Sequence, residues 1–177
     1  MKDWGLAILV DVYEDYVIKT PKSKKEIKEK VRKFLEWQKI SGGLNKRTNR
    51  IISDTEKSTK IIKRSSIPHK LLANLEFLQN NRIKQKKVTP LFQLIPELSK
   101  KDTINLFDKI IKFQIEIWKY GMHKKTFKFF SNFGIDNNSL VLIDAFELTS
   151  NKKQVLKQIK KDNGKISRNF KNLFLQT

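Results

Sequence analysis

Three polar residues stand directly beside short apolar segments and are the first candidates for chemistry. Lys19 ends the segment Val17-Ile18-Lys19, Asn132 precedes a second apolar segment, and Asp144 follows a third. The chain has no cysteine, which excludes a disulfide scaffold, a thiolate zinc site and a cysteine nucleophile. It has only two histidines, too few for a histidine-rich metal site. Any chemistry therefore depends on ammonium, carboxylate and amide groups.

The first forty residues predict a β-hairpin followed by a helix. Two runs rich in Val, Ile, Leu and Tyr, at about 5–12 and 16–20, flank an acidic turn. Ser23 and Glu26 then have the spacing of a capping box, which predicts a helix from there to about Ile40. Its apolar residues recur at helical spacing on one face, and lysines cover the other face.

The middle of the chain gives weaker signals. Residues 44–66 are polar and basic with two isolated Ile-Ile pairs, and they are interpreted as a loop with one short element. Pro68 predicts the start of a second helix that ends at Asn80-Asn81. Residues 88–94 are expected to hold a short strand that Pro90 interrupts.

The longest predicted helix runs over about 102–120, with Ser99 or Asp102 as its cap. Two apolar stripes run along it, one beginning at Ile104 and the other at Leu106. Two stripes predict burial over much of the circumference, so we expect this helix to lie at the centre of the core. Gly121 is expected to terminate it.

The last third of the chain predicts a second hairpin. Phe133 and Ile135 form one strand, 136–139 the turn, and 140–143 the other strand. A basic helix at about 150–161 and an apolar tail docked on the body complete the predicted elements. The mixture of short hairpins with separate helices predicts an α+β fold.

The order of these parts resembles the protein-kinase-like fold. The resemblance rests on Val17-Ile18-Lys19 before a helix, on Asn132-Phe-Gly-Ile after a long buried helix, and on the LVLIDAFEL stretch that contains Asp144. It is similar in particular to small bacterial kinase-like proteins of the PhoP-regulatory-network and lipopolysaccharide-core-kinase-like group. The resemblance implies a reduced two-lobe α+β fold in a single domain over 1–177. The N-lobe of hairpin and helix would span about 1–93, and the helical C-lobe with its short hairpin about 94–177.

The resemblance also implies a function for each matching residue. Lys19 would bind the phosphates of ATP, and Asn132 and Asp144 would hold Mg²⁺. These residue types suit the roles, because an ammonium offsets phosphate charge and Mg²⁺ takes oxygen ligands. The partner of Lys19 would be a glutamate on the following helix, for which Glu36 is preferred and Glu29 is the other candidate.

Several departures from the family pattern point to a degenerate kinase with a regulatory role. Phe127 stands five residues before Asn132, where the family has its catalytic aspartate. His123 is the only possible base in this segment, but it stands nine residues before Asn132, which is the wrong spacing, and it is expected to be exposed in a loop. No Gly-rich phosphate loop is present, and Asp144-Ala145-Phe146 replaces Asp-Phe-Gly. Only 33 residues follow Asp144, so whether phosphotransferase activity survives stays open.

The charge of the chain supports an alternative of a different class. Against 18 Asp and Glu there are 38 Lys and Arg, for a net charge of +20, which attracts polyanions. Basic clusters at 44–66, 82–87 and 151–177 suit a non-enzymatic protein that binds nucleic acid or an acidic protein partner. No nucleic-acid-binding motif accompanies them, and a solvated lysine-rich surface would have the same composition. No signal peptide or membrane span is recognised, so the expected location is the cytoplasm.

Overall fold

The computed structural model describes residues 5–125, 129–151 and 153. Over these residues the fold is mixed α+β, as expected, with three small antiparallel sheets. The largest sheet has the strand order β1-β2-β4-β3, formed by Ile8–Val12, Tyr16–Pro21, Ile83–Lys86 and Glu76–Phe77. Thr89–Pro90 (β5), Phe133–Asp136 (β7) and Ser139–Leu142 (β8) form the second sheet, and His123–Lys124 (β6) pairs with Leu148–Thr149 (β9).

The predicted first hairpin and first helix are confirmed. β1 and β2 pair with Ile8 opposite Pro21 and Val12 opposite Val17. Helix α1 spans Lys24–Trp37. Its capping box is complete, because the Ser23 hydroxyl accepts the Glu26 N–H at 3.3 Å and the Glu26 carboxylate accepts the Ser23 N–H at 2.8 Å. Local sequence signals therefore determine this part of the fold.

The interpretation of residues 44–66 as a loop is wrong, because Leu44–Arg64 forms the 21-residue helix α2. Its buried face includes Thr48 and Ser58, so a helical pattern of apolar residues is hard to recognise. Each hydroxyl donates to the carbonyl four residues earlier, at 2.8 and 2.7 Å. These bonds satisfy the polar groups within the helix and allow their burial. α2 packs against α1 in a cluster around Val31.

The helix predicted to start at Pro68 is also not formed. A 3-10 turn at His69–Leu72 ends at Ala73 and Asn74, which have φ of 52° and 51°. This left-handed backbone interrupts the helical pattern. The chain continues into β3, a 3-10 turn at Gln79–Asn81, and β4. In the stretch expected to be a strand at 88–94, only β5 is extended; Leu91–Leu94 forms the one-turn helix α3, followed by a 3-10 turn at Ile95–Glu97.

Helix α4 spans Lys100–Lys119 with Ser99 as its N-cap, and Gly121 follows it with φ of 69°. Only one predicted stripe lies in the core, namely Leu106, Ile110, Phe113 and Ile117. The expectation of burial over much of the circumference is wrong, because Ile104, Ile111 and Ile115 are 48%, 58% and 51% exposed.

The second hairpin is confirmed. β7 and β8 pair from Phe133–Leu142 to Asp136–Ser139. The turn residues Asn137 and Asn138 both have positive φ, 46° and 64°, as a two-residue hairpin turn of this kind requires. A short helix, α5, at Phe129–Asn132 leads into it.

One hydrophobic cluster joins the two halves of the chain. It contains Ile8 and Ile83 from the first sheet together with Ile110, Phe133 and Leu142 from the second half. The predicted helix at 150–161 and the apolar tail lie outside the described residues, apart from 150, 151 and 153. No helix in the described ranges is long and apolar enough to cross a bilayer.

Candidate functional site

Lys19 lies on β2, which has a hydrogen-bonded strand on each side. It is paired with Val10 of β1 and Ile83 of β4. Its ammonium donates a hydrogen bond to the main-chain carbonyl of Ile143, the residue before Asp144. The hairpin half of the chain thus directs this lysine to the segment that follows β8.

The β7–β8 hairpin brings Asn132 and Asp144 together although twelve positions separate them in the sequence. The main-chain carbonyl of Asn132 accepts the N–H groups of Ile143 at 2.9 Å and Asp144 at 3.1 Å. The pairing of Phe133 with Leu142 closes the hairpin just inside these bonds. Lys19, Asn132 and Asp144, singled out from the sequence, therefore meet at one place.

Lys124 on β6 lies at the candidate site, and sequence reasoning missed it. Its ammonium donates hydrogen bonds to the carbonyls of Asp144, at 2.9 Å, and of Phe146. It also lies 3.9 Å from the Asp144 carboxylate oxygen Oδ2, and its side chain is 1% exposed. The sequence offers no signal for it, because Lys124 is one of three lysines in Met-His-Lys-Lys-Thr-Phe-Lys, and charge alone does not distinguish a buried lysine.

The electrostatics of the site follow from two ammonium groups beside one carboxylate. Burial lowers the pKa of Lys19 from its ordinary 10.5 to about 8. The Asp144 carboxylate opposes this change and the Lys124 ammonium adds to it. Lys19 thus carries its charge at neutral pH in surroundings that disfavour that charge.

Asp144 is the part of the site that remains open to solvent. One of its carboxylate oxygens, Oδ1, accepts the Phe146 N–H at 3.1 Å, and the side chain is 37% exposed. Asn132, in contrast, is buried at 2% exposure. An approaching anion or cation would therefore meet the Asp144 side of the cluster first.

Some features of the site suit Mg²⁺ and others oppose it. Asp144 offers a carboxylate, and Mg²⁺ is commonly held by one or two carboxylates together with substrate phosphates. Asn132 meets Asp144 through its main-chain carbonyl, whereas its buried amide oxygen accepts the Ser131 hydroxyl at 3.5 Å. No group of three or more His, Cys, Asp or Glu residues suited to a metal occurs in the described part of the chain. The Lys124 ammonium occupies the neighbourhood of the carboxylate. Mg²⁺ at Asn132 and Asp144 stays a prediction, and the position of Lys124 argues against it.

The structure does not bring Glu36 to Lys19. Glu36 is exposed on α1, and α1 packs on α2 rather than on the first sheet. Glu29 forms an ion pair with Arg32 at 2.8 Å on the same helix. Among the residues that the structure describes, the carboxylate acting on Lys19 belongs to Asp144.

The expectation of an exposed loop for His123 is wrong. His123 lies on β6 at 7% exposure, and its ring packs against Trp118, with 5.4 Å between centroids. The apolar end of α4 and the pairing of β6 with β9 account for this burial. Phe127, at the position of the family's catalytic aspartate, lies outside the described residues.

Helix α2 contacts the region of the site at two residues, Leu148 of β9 and Lys125, which directly follows β6. The Leu148 N–H donates to the buried Ser58 hydroxyl at 2.8 Å. The Lys125 ammonium meets the Asp54 carboxylate at 2.6 Å, with both side chains mostly buried. These contacts fix the ends of the segment that carries Asp144.

Comparisons of the chain with protein-family models, with curated proteins and with solved structures gave no match. The arrangement of Lys19, Asn132, Asp144 and Lys124 is therefore the basis for any functional argument.

Proposed function

We propose that this protein is a kinase-like nucleotide-binding protein, a degenerate kinase with a regulatory role. The observation that carries the proposal is the convergence of Lys19 with Asp144. They come from opposite halves of the chain, and the Lys19 ammonium bonds to the residue before Asp144. A strand lysine beside an aspartate that follows a hairpin is the arrangement that kinase-like proteins use around nucleotide phosphates.

The free-energy cost of burying the Lys19 ammonium is a second argument for a nucleotide site. The lowered pKa of Lys19 means that its charged form is disfavoured where it lies. Groups with strongly perturbed pKa values concentrate at functional sites, where a ligand offsets the cost. An anionic phosphate beside Lys19 would supply that compensation.

The groups around Asp144 favour binding over catalysis. Phosphoryl transfer uses a base to accept the proton of the acceptor hydroxyl. The charged side chains that donate to the main chain at Ile143 and Asp144 are the ammonium groups of Lys19 and Lys124, and an ammonium cannot accept that proton. With Phe127 at the aspartate position, we propose nucleotide binding as the retained activity.

A thermal-shift titration tests the proposal. ATP and inorganic triphosphate are compared at about 200 mM salt, which screens nonspecific attraction to the basic surface. A saturable shift with ATP that exceeds the shift with triphosphate, and that Lys19→Met abolishes, supports a nucleotide site. Lys33→Met, which removes an exposed lysine of α1, is the matched control. Equal shifts with both anions, or equal shifts in both variants, would contradict the proposal.

A second candidate function, nucleic-acid binding, is favoured by the position of basic residues on α2. Five exposed basic residues recur at helical spacing along one face of α2: Lys46, Arg50, Lys57, Lys60 and Arg64. Eighteen residues of helix correspond to about 27 Å, and a row of this length suits several successive phosphates of a nucleic-acid backbone.

Salt dependence separates this candidate from the first. Binding of a fluorescent single-stranded oligonucleotide should weaken steeply with salt, and Lys57→Gln with Lys60→Gln should reduce the magnitude of the slope of log affinity against log salt concentration by about 1.4. Lys24→Gln with Lys25→Gln on α1 is the control pair, which should change the slope less. An affinity that hardly changes with salt would count against a nucleic-acid surface.

A further inference from the structure

The buried lysine of β6, Lys124, has no assigned contact with the nucleotide in the proposal above, yet its ammonium is well enclosed beside Asp144. It donates to the carbonyls of Asp144 and Phe146. The side chain is 1% exposed, and the ammonium lies 3.9 Å from Asp144 Oδ2. It thus holds the Asp144 segment by its main chain and neutralises its side chain.

A buried ammonium is costly unless its surroundings compensate it. Here the compensation includes two carbonyl dipoles and one carboxylate. These same oxygen types are the ones a divalent cation would seek. The Lys124 ammonium therefore lies where a metal bound to Asp144 would lie, and it supplies a single positive charge there.

A divalent ion at Asp144 would meet repulsion from two sides. Lys19 bonds to the carbonyl of Ile143 and Lys124 to that of Asp144. The other carboxylate oxygen, Oδ1, already accepts the Phe146 N–H. With two ammonium groups and one carboxylate, the three side chains together already carry a net positive charge, which suits an anion and opposes Mg²⁺.

We infer that Lys124 is the resident countercharge of Asp144 in place of a divalent metal, so that the site binds a metal-free nucleoside polyphosphate. The inference rests on the proposed function for the identity of the ligand. The metal part stands on the contacts that Lys124, Lys19 and the Phe146 N–H make around Asp144 and can be tested without a nucleotide.

The first test uses Mn²⁺ alone as the probe, followed by its electron paramagnetic resonance signal. Wild-type protein and Asp144→Asn should bind Mn²⁺ equally weakly, because Asp144 is not a metal ligand while Lys124 is present. Asp108→Asn, which changes an exposed carboxylate on α4, is the control. Wild-type protein that binds Mn²⁺ ten times more tightly than Asp144→Asn, with Asp108→Asn unchanged, would overturn the inference.

Lys124→Met is the variant in which Mn²⁺ binding should be gained. Removing the ammonium should free the Asp144 carboxylate and tighten Mn²⁺ binding at least tenfold, and adding Asp144→Asn should cancel this gain. A folded Lys124→Met protein without any gain would overturn the inference. If this variant does not fold, the comparison of wild-type protein with Asp144→Asn decides the question.

The second test measures ATP affinity by isothermal titration calorimetry, in EDTA and in excess Mg²⁺. The inference expects a dissociation constant in EDTA equal to or lower than that in Mg²⁺. A dissociation constant at least ten times lower in Mg²⁺ would overturn it. Absence of ATP binding in both conditions would refute the proposed function, while the Mn²⁺ comparison still decides whether Lys124 excludes a metal.

Discussion

Replacing Lys19 by methionine should make the protein more stable at neutral pH. Burial lowers the pKa of Lys19 from 10.5 to about 8. A difference of this size corresponds to roughly 3 kcal/mol of cost for holding the lysine charged in the folded protein. Because Lys19 retains some contact with solvent, this is the upper value. Methionine keeps an unbranched side chain of similar length without the charge, so this cost disappears. The lost hydrogen bond to the half-buried Ile143 carbonyl offsets about 1 kcal/mol of the gain.

The stability difference between wild-type protein and Lys19→Met should depend on pH, and the two pKa values of Lys19 determine the direction of the change. Below pH 8 both folded and unfolded chains hold the proton on Lys19, and the full cost is present. Between pH 8 and 10.5 the unfolded chain binds the proton and the folded chain does not, so the free energy of unfolding of the wild-type protein rises with pH. The advantage of Lys19→Met should therefore fall by up to about 2 kcal/mol between pH 7 and about pH 9.5.

Urea unfolding of both proteins at the two pH values measures this difference. Lys33→Met, on the exposed side of α1, controls for the loss of one positive charge from a chain of net charge +20. A Lys19→Met protein that is less stable than wild type at pH 7 would refute the reasoning. So would an advantage of the same size at both pH values.

Two further predictions concern the supports of the site. Gly134→Ala should destabilise the fold by about 1–3 kcal/mol, because an added Cβ would lie 2.7 Å from Val88 Cγ2 and 3.0 Å from the Thr89 carbonyl; thermal unfolding checks this, and an unchanged midpoint would contradict it. Ser58→Ala should cost about 1–3 kcal/mol, because the Leu148 N–H loses its acceptor. Ser53→Ala, at a half-buried position on the face of α2 that carries Lys46 and Arg50, should change stability by less than about 0.5 kcal/mol, and similar losses in both serine variants would disprove the difference.

The sequence predicts the elements whose signals are local. The capping box at Ser23 and the two asparagines of the β7–β8 turn act within a few residues, so the ends of α1 and the second hairpin could be predicted. Helix α2 could not, because Thr48 and Ser58 fill positions of its buried face where the pattern requires apolar residues. The helix expected after Pro68 fails for the opposite reason, because Ala73 takes a left-handed backbone that its residue type does not signal.

The residues of the candidate site likewise divide into those that could be predicted from the sequence and those that depend on the tertiary structure. Lys19, Asn132 and Asp144 could be chosen because their order along the chain, beside apolar segments, resembles that of kinase-like proteins. Asn132 and Asp144 meet because β7 pairs with β8, whereas Lys19 reaches them because the first sheet and this hairpin, which are distant in sequence, share one core. Glu36 failed because α1 packs on α2, and Lys124 was missed because only the tertiary structure distinguishes it from the lysines on either side.

The most direct measurement of the central claim is the pKa of Lys19 with and without ATP. Lysine side chains labelled with ¹³C at Cε are titrated by NMR, and the Lys19 signal is assigned from its absence in Lys19→Met. The account predicts that it titrates near pH 8 in the free protein and that bound ATP raises its pKa, because phosphate charge stabilises the ammonium. A Lys19 pKa that stays the same when ATP is bound would contradict the account.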